Sequence, residues 1–466
     1  MGKVIVCGAG ISGLAAAHWI QQHGHEVLVL EKSARAGGVI ETVEADGYLF
    51  EKGPNSFLDN APETLQLCRE VRLENRLLKQ SLRENKRYIY LNGRLHEVPS
   101  GPGAFFKTEL LTSSSKWGLL REAFRKSNRR PEDESVADFT RRRLGDEILT
   151  HLLTPFISGV YAGDPEKLSL QATFPLLFEL EREYGSLTLG MIGRMLRRGP
   201  KPNSKPRARN LCSFLRGMSE LVEAIQNRLA QKVICRAETA RIEKAGNGRY
   251  AVITRSPEQT RVECEAVVLA LPAYAAAPLI QERMPRTSPY LASVPYNRLT
   301  VTGMGYRRDQ FSEAPEGFGF LAPRGQGLRI LGAIWNASLF ANRAPGGECG
   351  LTVFTGGGLD PEAYDLSDEA LLAQVKEDLQ RSMGAQGEPA NQQITRWEKA
   401  IPQYPVGHLG KIATLQEEAA QSPGLFLTGN YLDGVSVNDC IRNARRTADK
   451  VNEYVSKAQG RTEPCT

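Results

Sequence analysis

No apolar run in this chain is long enough to cross a bilayer as a helix. The longest, residues 266–280, is interrupted by Pro272 and Pro278 and falls short of the ~20 apolar residues that a span requires. A helical membrane span is therefore not expected, whereas attachment to a membrane face stays open. Paired cysteine motifs are missing too. The eight cysteines (Cys7, Cys68, Cys212, Cys235, Cys264, Cys349, Cys440 and Cys465) make no CxxC, and no histidine cluster accompanies them. Neither a zinc site nor a disulfide framework is expected, and a reducing compartment fits best. Charge of one sign is in short supply: 59 Lys and Arg stand against 53 Asp and Glu, a net +6 over 466 residues, which gives no reason to expect a nucleic-acid partner. An apolar run opens already at Lys3, so no targeting leader is expected before it.

What is present is the composition of an α/β or α+β enzyme: 41% hydrophobic, 24% charged and 44 glycines. The length suggests two or three domains. Residues 3–7, 11–23 and 26–30 read as strand, helix and strand, a βαβ unit. Residues 61–80 read as a helix, and 87–95 as a strand pair about the Asn92-Gly93 turn. Residues 104–198 read as mostly helical, with Phe106, Leu110, Trp117, Leu120 and Phe124 on one stripe that either packs inward or faces a membrane. Between Arg194 and Arg209 lie seven basic residues, no acidic ones and three prolines, which reads as an exposed linker and not a helix. A helix over 218–229, strands at 233–235, 250–254 and 266–271, a sheet within 298–355, a helix over 369–383, a strand at 425–428 and a helix over 439–457 complete the chain. No internal repeat is found.

Gly8-Ala9-Gly10-Ile11-Ser12-Gly13 is a GxGxxG between the first strand and the first helix. The first glycine permits a tight turn, the second lets backbone approach a pyrophosphate, and the third lets helix and strand pack closely; the helix N-terminus then faces the phosphates. Glu31, at the end of the second strand, can accept hydrogen bonds from both ribose hydroxyls, and its charge disfavours a 2′-phosphate. Two further glycine turns, Arg35-Ala36-Gly37-Gly38 and Gly53-Pro54-Asn55-Ser56, suit a long extended ligand such as FAD better than a compact nicotinamide site.

Several separated segments extend this pattern: Tyr161-Ala162-Gly163-Asp164 with Leu168-Ser169, Gly317-Phe318-Gly319-Phe320-Leu321, Ile401-Pro402-Gln403-Tyr404 with Gly407-His408, and Gly429-Asn430 with Val437-Asn438-Asp439-Cys440-Ile441. Together with the N-terminal motif they resemble the amine-oxidase-like FAD superfamily and, within it, its porphyrinogen-oxidising branch. The resemblance implies a Rossmann-type FAD-binding domain (1–85, 210–272 and 396–466), a mixed-sheet substrate domain (86–103 and 273–395) and a helical, membrane-facing domain (104–209). It implies that Gly8, Ala9, Gly10, Ile11, Ser12, Gly13, Glu31 and Gly38 hold the dinucleotide half of FAD. Lys32, Gly53, Pro54, Asn55 and Ser56 would line the flavin side, with Thr239 offering backbone to the adenine and Trp397 near the flavin. Gly429 and Asn430 would follow the ribitol, although many members carry an acidic residue where Asn430 stands. Val435, Ser436 and Val437 would cover the far end of the ring system at the start of the last helix, which contributes amides and a positive dipole.

On the substrate side the resemblance implies that Arg87 pairs a propionate, a task suited to its planar fork, and that Gly319, Leu321, Ile334 and Phe354 sandwich a macrocycle. Without the resemblance, Arg87 would read as a surface salt bridge on a hairpin and the other four as plain core. The implied reaction is a six-electron oxidation of protoporphyrinogen IX in heme biosynthesis, in three two-electron steps, with oxygen giving hydrogen peroxide. Coproporphyrinogen III oxidation by the same fold, or a non-catalytic Rab-GDI-like carrier, are the alternatives. No Ser-His-Asp or paired-carboxylate constellation offers itself. Asn55 is the one polar candidate for a catalytic role beside the flavin, and His408 reads as a structural histidine. A cytoplasmic location, peripheral contact with the inner face of the cell membrane and a homodimer are further expectations.

Overall fold

Four short apolar strands make a parallel sheet in the order Leu425–Leu427, Ala266–Leu269, Lys3–Cys7 and Glu26–Leu30. The strands are buried on both faces, as parallel sheets are. On one face lie the first helix, Ile11–Gln22, and the last, Val437–Gly460, with Ala15, Ala16 and Ala17 of the first fully buried in a shared core. On the other face Tyr250 and Val252, from a three-stranded antiparallel sheet (Glu238–Lys244, Tyr250–Arg255, Arg261–Cys264), share a core with Ile5 and Val267. The computed structural model describes residues 2–80, 86–125, 127, 132–197, 210–255 and 260–460.

A second layer is a seven-stranded mixed sheet, ordered Asn391–Pro402, Tyr296–Arg307, Glu348–Gly356, Gly332–Trp335, Gly319–Leu321, Arg87–Leu91 and Arg94–Glu97. The hairpin about Asn92-Gly93 is present, and both turn residues take positive φ. Leu371, Val375 and Leu379 of the Asp368–Met383 helix pack into the core beneath this sheet. The Asn391–Pro402 strand runs across the division expected at 395/396, because its pairing with Tyr296–Arg307 continues to Pro402.

Other expectations are corrected. The helix expected over 61–80 stops after Pro62–Glu70. Arg72 turns to φ 62°, and Leu77–Lys79 leaves to pair with Leu211–Phe214. The segment 233–235 forms no strand, only one bridge from Ile234 to Leu30. The single stripe over 106–124 breaks into helices Pro102–Lys107 and Ser113–Leu120 and a 3-10 turn, Glu122–Phe124. Leu110 falls in the break and is buried against Ile89, Leu91 and Ile148, whereas Phe106, Trp117, Leu120 and Phe124 are exposed. The basic stretch starts inside a helix, Leu187–Arg197, where Arg194 pairs with Glu179; its remainder, 198–209, lies outside the described residues. Among the described residues no helix is long and apolar enough to cross a membrane.

Candidate active site

The glycine loop behaves as three separate constraints. Gly8 has φ 103°, and a Cβ there would lie 2.4 Å from the Ala270 oxygen. At Gly13 a Cβ would lie 1.9 Å from the Gly8 oxygen, so helix and strand approach too closely for any side chain. Gly10 has φ −70°, and a Cβ there meets nothing within 4 Å. The turn therefore leaves open space beside Gly10, at the start of a helix whose first amides are unpaired, the place where a pyrophosphate is bound in such loops. The second glycine turn closes on the first: Gly37 donates its N–H to the Ala9 oxygen at 2.8 Å, and a Cβ on Gly38 would lie 3.3 Å from the Gly10 Cα.

Glu31 is buried beside this loop, accepting the N–H of Ala9 and of Ser33, each at 2.8 Å. These bonds fix its carboxylate at the mouth of the turn with lone pairs to spare for ribose hydroxyls. Lys32, the next residue, sits in a bend and is exposed. Beside Glu31 stand Ile234, whose oxygen accepts the Glu31 N–H, and Ala237, whose N–H meets the Glu31 oxygen; the Thr239 side chain bonds the Cys7 thiol, which burial pushes up to about 12. The positive φ of Arg236 bends the chain into this position, a feature no residue pattern announces.

Between the two layers lies a cavity of about 300 Å³. Gly53, Pro54, Asn55, Ser56, Asn430, Val435, Ser436 and Val437 line one side, and Trp397 lines it from the seven-stranded layer, where it pairs with Leu299. Gly53 is required here, because a Cβ would lie 2.1 Å from the Val39 oxygen. Trp397 clamps the loop by donating Nε1–H to the Lys52 oxygen at 2.7 Å. Ser436 and Asp439 cap the last helix reciprocally, the Ser436 hydroxyl donating to the Asp439 carboxylate at 2.6 Å and accepting the Asp439 N–H at 3.2 Å, so the positive end of that helix is held at the cavity wall. Gly429 precedes the wall with φ 156°, and the Asn430 oxygen accepts the Tyr404 hydroxyl.

The opposite wall is Leu299, Val301, Leu331 and Phe354 of the seven-stranded layer, with Ser158, Gly159, Val160 and Ala162 from the Thr154–Tyr161 helix and its end. Of the expected substrate residues only Phe354 lines the cavity itself. Leu321 lies at its edge, where a Cβ on Gly159 would come within 2.3 Å of the Leu321 Cδ2. Arg87 pairs with Gly319, Gly319 with Ile334, and Ile334 with Thr352, one row across the sheet. Side chains in such a row share a face, so Arg87 and Ile334 stand on the face that carries Thr352 and Phe354. Arg87 is exposed, its guanidinium 5.3 Å from the Phe318 ring centroid, with no carboxylate partner among the described residues.

Among the described residues Lys52 is the one cation of the lining, its charge met by Glu41 at 2.6 Å, and no Asp, Glu or His lines the cavity. His408 is buried, stacked on Tyr404 at 4.4 Å and bonded through Nδ1 to the Tyr290 hydroxyl at 2.5 Å. Burial pushes it down to about 4, so at neutral pH it is an uncharged structural histidine. No metal-ligating cluster occurs among the described residues.

A Rossmann-type sheet with an open glycine cradle, covered by a mixed sheet across an apolar cavity, is the architecture of a dinucleotide-dependent oxidoreductase. The model of the flavin-containing amine oxidoreductase family matches residues 11–452, and the chain belongs to that family. It is an FAD-dependent enzyme, and the open Gly10 cradle, Glu31 and the Gly53–Ser56 and Val435–Val437 segments fit that cofactor. The chloroplastic protoporphyrinogen oxidase of Oryza sativa subsp. japonica is 34% identical, over 97% of this chain and 88% of its own. The coproporphyrinogen III oxidase of Bacillus subtilis strain 168 is 30% identical, over 97% and 98%. A solved protein of protoporphyrinogen oxidase type from Exiguobacterium sp. 255-15 superposes with a TM-score of 0.81 at 26% identity, covering 97% of this chain and 98% of that one.

Proposed function

We propose that the chain oxidises a porphyrinogen to the porphyrin, protoporphyrinogen IX in the first place, removing six electrons in three two-electron steps with oxygen as the final acceptor and hydrogen peroxide as its product. The observation that carries this reading is the cavity lining, apolar on the sheet side and, among the described residues, without any carboxylate or imidazole. Electron-rich pyrroles stabilise the cation left when hydride departs, so such a substrate needs orientation and a dry pocket more than a strong base. FAD, when bound, supplies the electron acceptance. The chain's own residues do the rest: Trp397 fixes the Lys52–Ser56 loop, the Ser436–Asp439 cap fixes the last helix, and Phe354, Val301 and Leu299 make the wall against which a flat ring lies. A tetrapyrrole overfills about 300 Å³ and has to extend along the sheet face, where Arg87 stands three strands from Thr352, roughly 14 Å at the usual strand spacing. That suits a propionate arm.

Coproporphyrinogen III is the second reading, favoured by the Bacillus subtilis relative and by the fact that one arginine does not count propionates. Porphyrin fluorescence from the purified enzyme, with each porphyrinogen, in air and without oxygen, decides between them. Equal inertness towards both would remove the proposal, and activity unchanged without oxygen would remove the oxidase step. Peripheral membrane contact at the inner face of the cell membrane is part of the same reading. Its support is apolar surface on the helical segment, Phe124 at 88% and Met195 at 76% exposure, which a soluble face seldom carries.

A further inference from the structure

Asn55 is reached from the sheet side by two buried side chains. Asn336 opens a short helix, Asn336–Leu339, directly after the Gly332–Trp335 strand, and Thr352 sits within Glu348–Gly356 opposite Ile334. The Asn336 Nδ2 donates to the Asn55 Oδ1 at 3.0 Å and to the Thr352 Oγ1 at 2.8 Å. The Thr352 hydroxyl in turn donates to the same Asn55 Oδ1 at 3.2 Å. A carboxamide oxygen has two lone pairs, so that of Asn55 is fully used by the sheet. Its other end, Nδ2, lies 3.4 Å from the Gly53 carbonyl, which would repel the oxygen if the amide were turned round. Both neighbours select one orientation: one N–H of Asn55 is directed at the Gly53 carbonyl and the other is left to serve the cavity.

Asn336 is 4% exposed, Thr352 is 0% exposed, and neither lines the cavity. The Asn336 Oδ1 is buried with no partner among the described residues, an orphan that a residue kept only for packing would not carry. A residue kept for its two N–H donors has to carry it.

We propose that Asn336, acting with Thr352, is a positioning residue that sets the polarity of Asn55, so that Asn55 offers a donor to a ring nitrogen of the tetrapyrrole once that nitrogen has lost its proton. This rests on the reading of the cavity as the porphyrinogen site. Asn336 never meets the substrate; it acts through Asn55 alone. Asn336→Asp would reverse the arrangement, because a carboxylate accepts where the amide donated, drawing the Asn55 NH₂ to itself and turning the Asn55 oxygen into the cavity.

The test is steady-state kinetics of the FAD-loaded enzyme with protoporphyrinogen IX and with coproporphyrinogen III. Asn55→Ala is expected to lower kcat/KM about 10- to 100-fold, the usual cost of a lost directed hydrogen bond. Asn336→Ala should cost about tenfold alone but less than about twofold in the Asn55→Ala background. Asn336→Asp should lose as much as Asn55→Ala while keeping its FAD content and Tm. Additive losses in the cycle, or wild-type kcat/KM in Asn336→Asp, would overturn the proposal. If Asn336→Ala does not fold, Thr352→Val takes its place in the cycle with the same two outcomes. If Asn55→Ala itself keeps wild-type kcat/KM, the substrate reading of the cavity falls and the positioning role falls with it.

Discussion

A Cβ on Gly13 would lie 1.9 Å from the carbonyl oxygen of Gly8, whereas one on Gly10, three residues earlier, meets no protein atom within 4 Å. The two glycines therefore serve different links of the chain from sequence to function. Gly13 lets the first helix lie on the first strand, a packing requirement. Gly10 leaves space that the protein does not itself use.

This difference predicts two outcomes. Gly10→Val should fold, since its φ of −70° is open to any residue, and purify colourless, because the side chain fills the place of the pyrophosphate. Gly13→Val should fail earlier, as insoluble or unfolded protein. Absorbance at the flavin bands together with a thermal melt reads both, and a yellow, fully loaded Gly10→Val protein would sink the cofactor placement.

The parts of the site that were legible in the sequence are those where one backbone constraint selects one residue. Gly8, Gly13, Glu31, Gly38 and Gly53 act over short distances in the chain, and each stands where its residue type is needed by the fold, whereas Gly10 leaves space that the fold does not use. The opposite wall was not legible. Leu299, Val301, Ala400 and Ile401 are ordinary apolar strand residues, with Leu331 just ahead of a strand, and they become a wall only through sheet register. The same holds for Ala237, placed against Glu31 by the turn at Arg236. The 106–124 stripe misled because helical spacing was read across a break that Leu110 makes by turning into the core.

Glu51 leads into the Gly53–Ser56 loop and is buried beneath it. Burial raises its carboxyl to about 7, although the Met218 N–H, the Thr42 hydroxyl and the charge of Arg343 pull the other way. A carboxyl raised in the folded state binds its proton there more tightly than in the unfolded chain. Its stabilisation is complete below about pH 4.5 and is lost as pH rises to about 7. Glu51→Gln should therefore gain on wild type over that window, by up to about 3 kcal/mol. Urea melts of both proteins at pH 5 and pH 8 check this, and a constant difference would show that Glu51 stays ionised throughout.

Trp117 and Met195 lie on separate helices, both largely exposed. If these faces meet lipid, a carboxylate on either adds desolvation cost and repulsion from anionic headgroups. Flotation with anionic vesicles should weaken for Trp117→Glu and for Met195→Glu, with porphyrinogen oxidation in detergent unchanged. Unaltered flotation in both would leave the exposed apolar residues without a membrane role.

Arg87 tests the substrate side most directly. Its guanidinium lies over Phe318 with no carboxylate partner among the described residues, and it shares a sheet row with Thr352, the residue that bonds Asn55. A cation held over a ring on that face is poised for a carboxylate arm, and its planar fork can meet the arm with two bonds. Arg87→Ala should raise KM by about one to two orders of magnitude, the scale of a guanidinium–carboxylate pair shielded by a bound macrocycle. The upper end requires that the macrocycle cover the pair, because an exposed pair contributes far less. Arg87→Lys should recover only part of the loss, as it restores the charge without the fork or the stacking. FAD content should not change, because Arg87 lies on the seven-stranded layer, away from the glycine loop and from Glu31. A normal KM in Arg87→Ala would place the propionate elsewhere on the face. Loss of FAD with a normal KM would assign the hairpin to the cofactor.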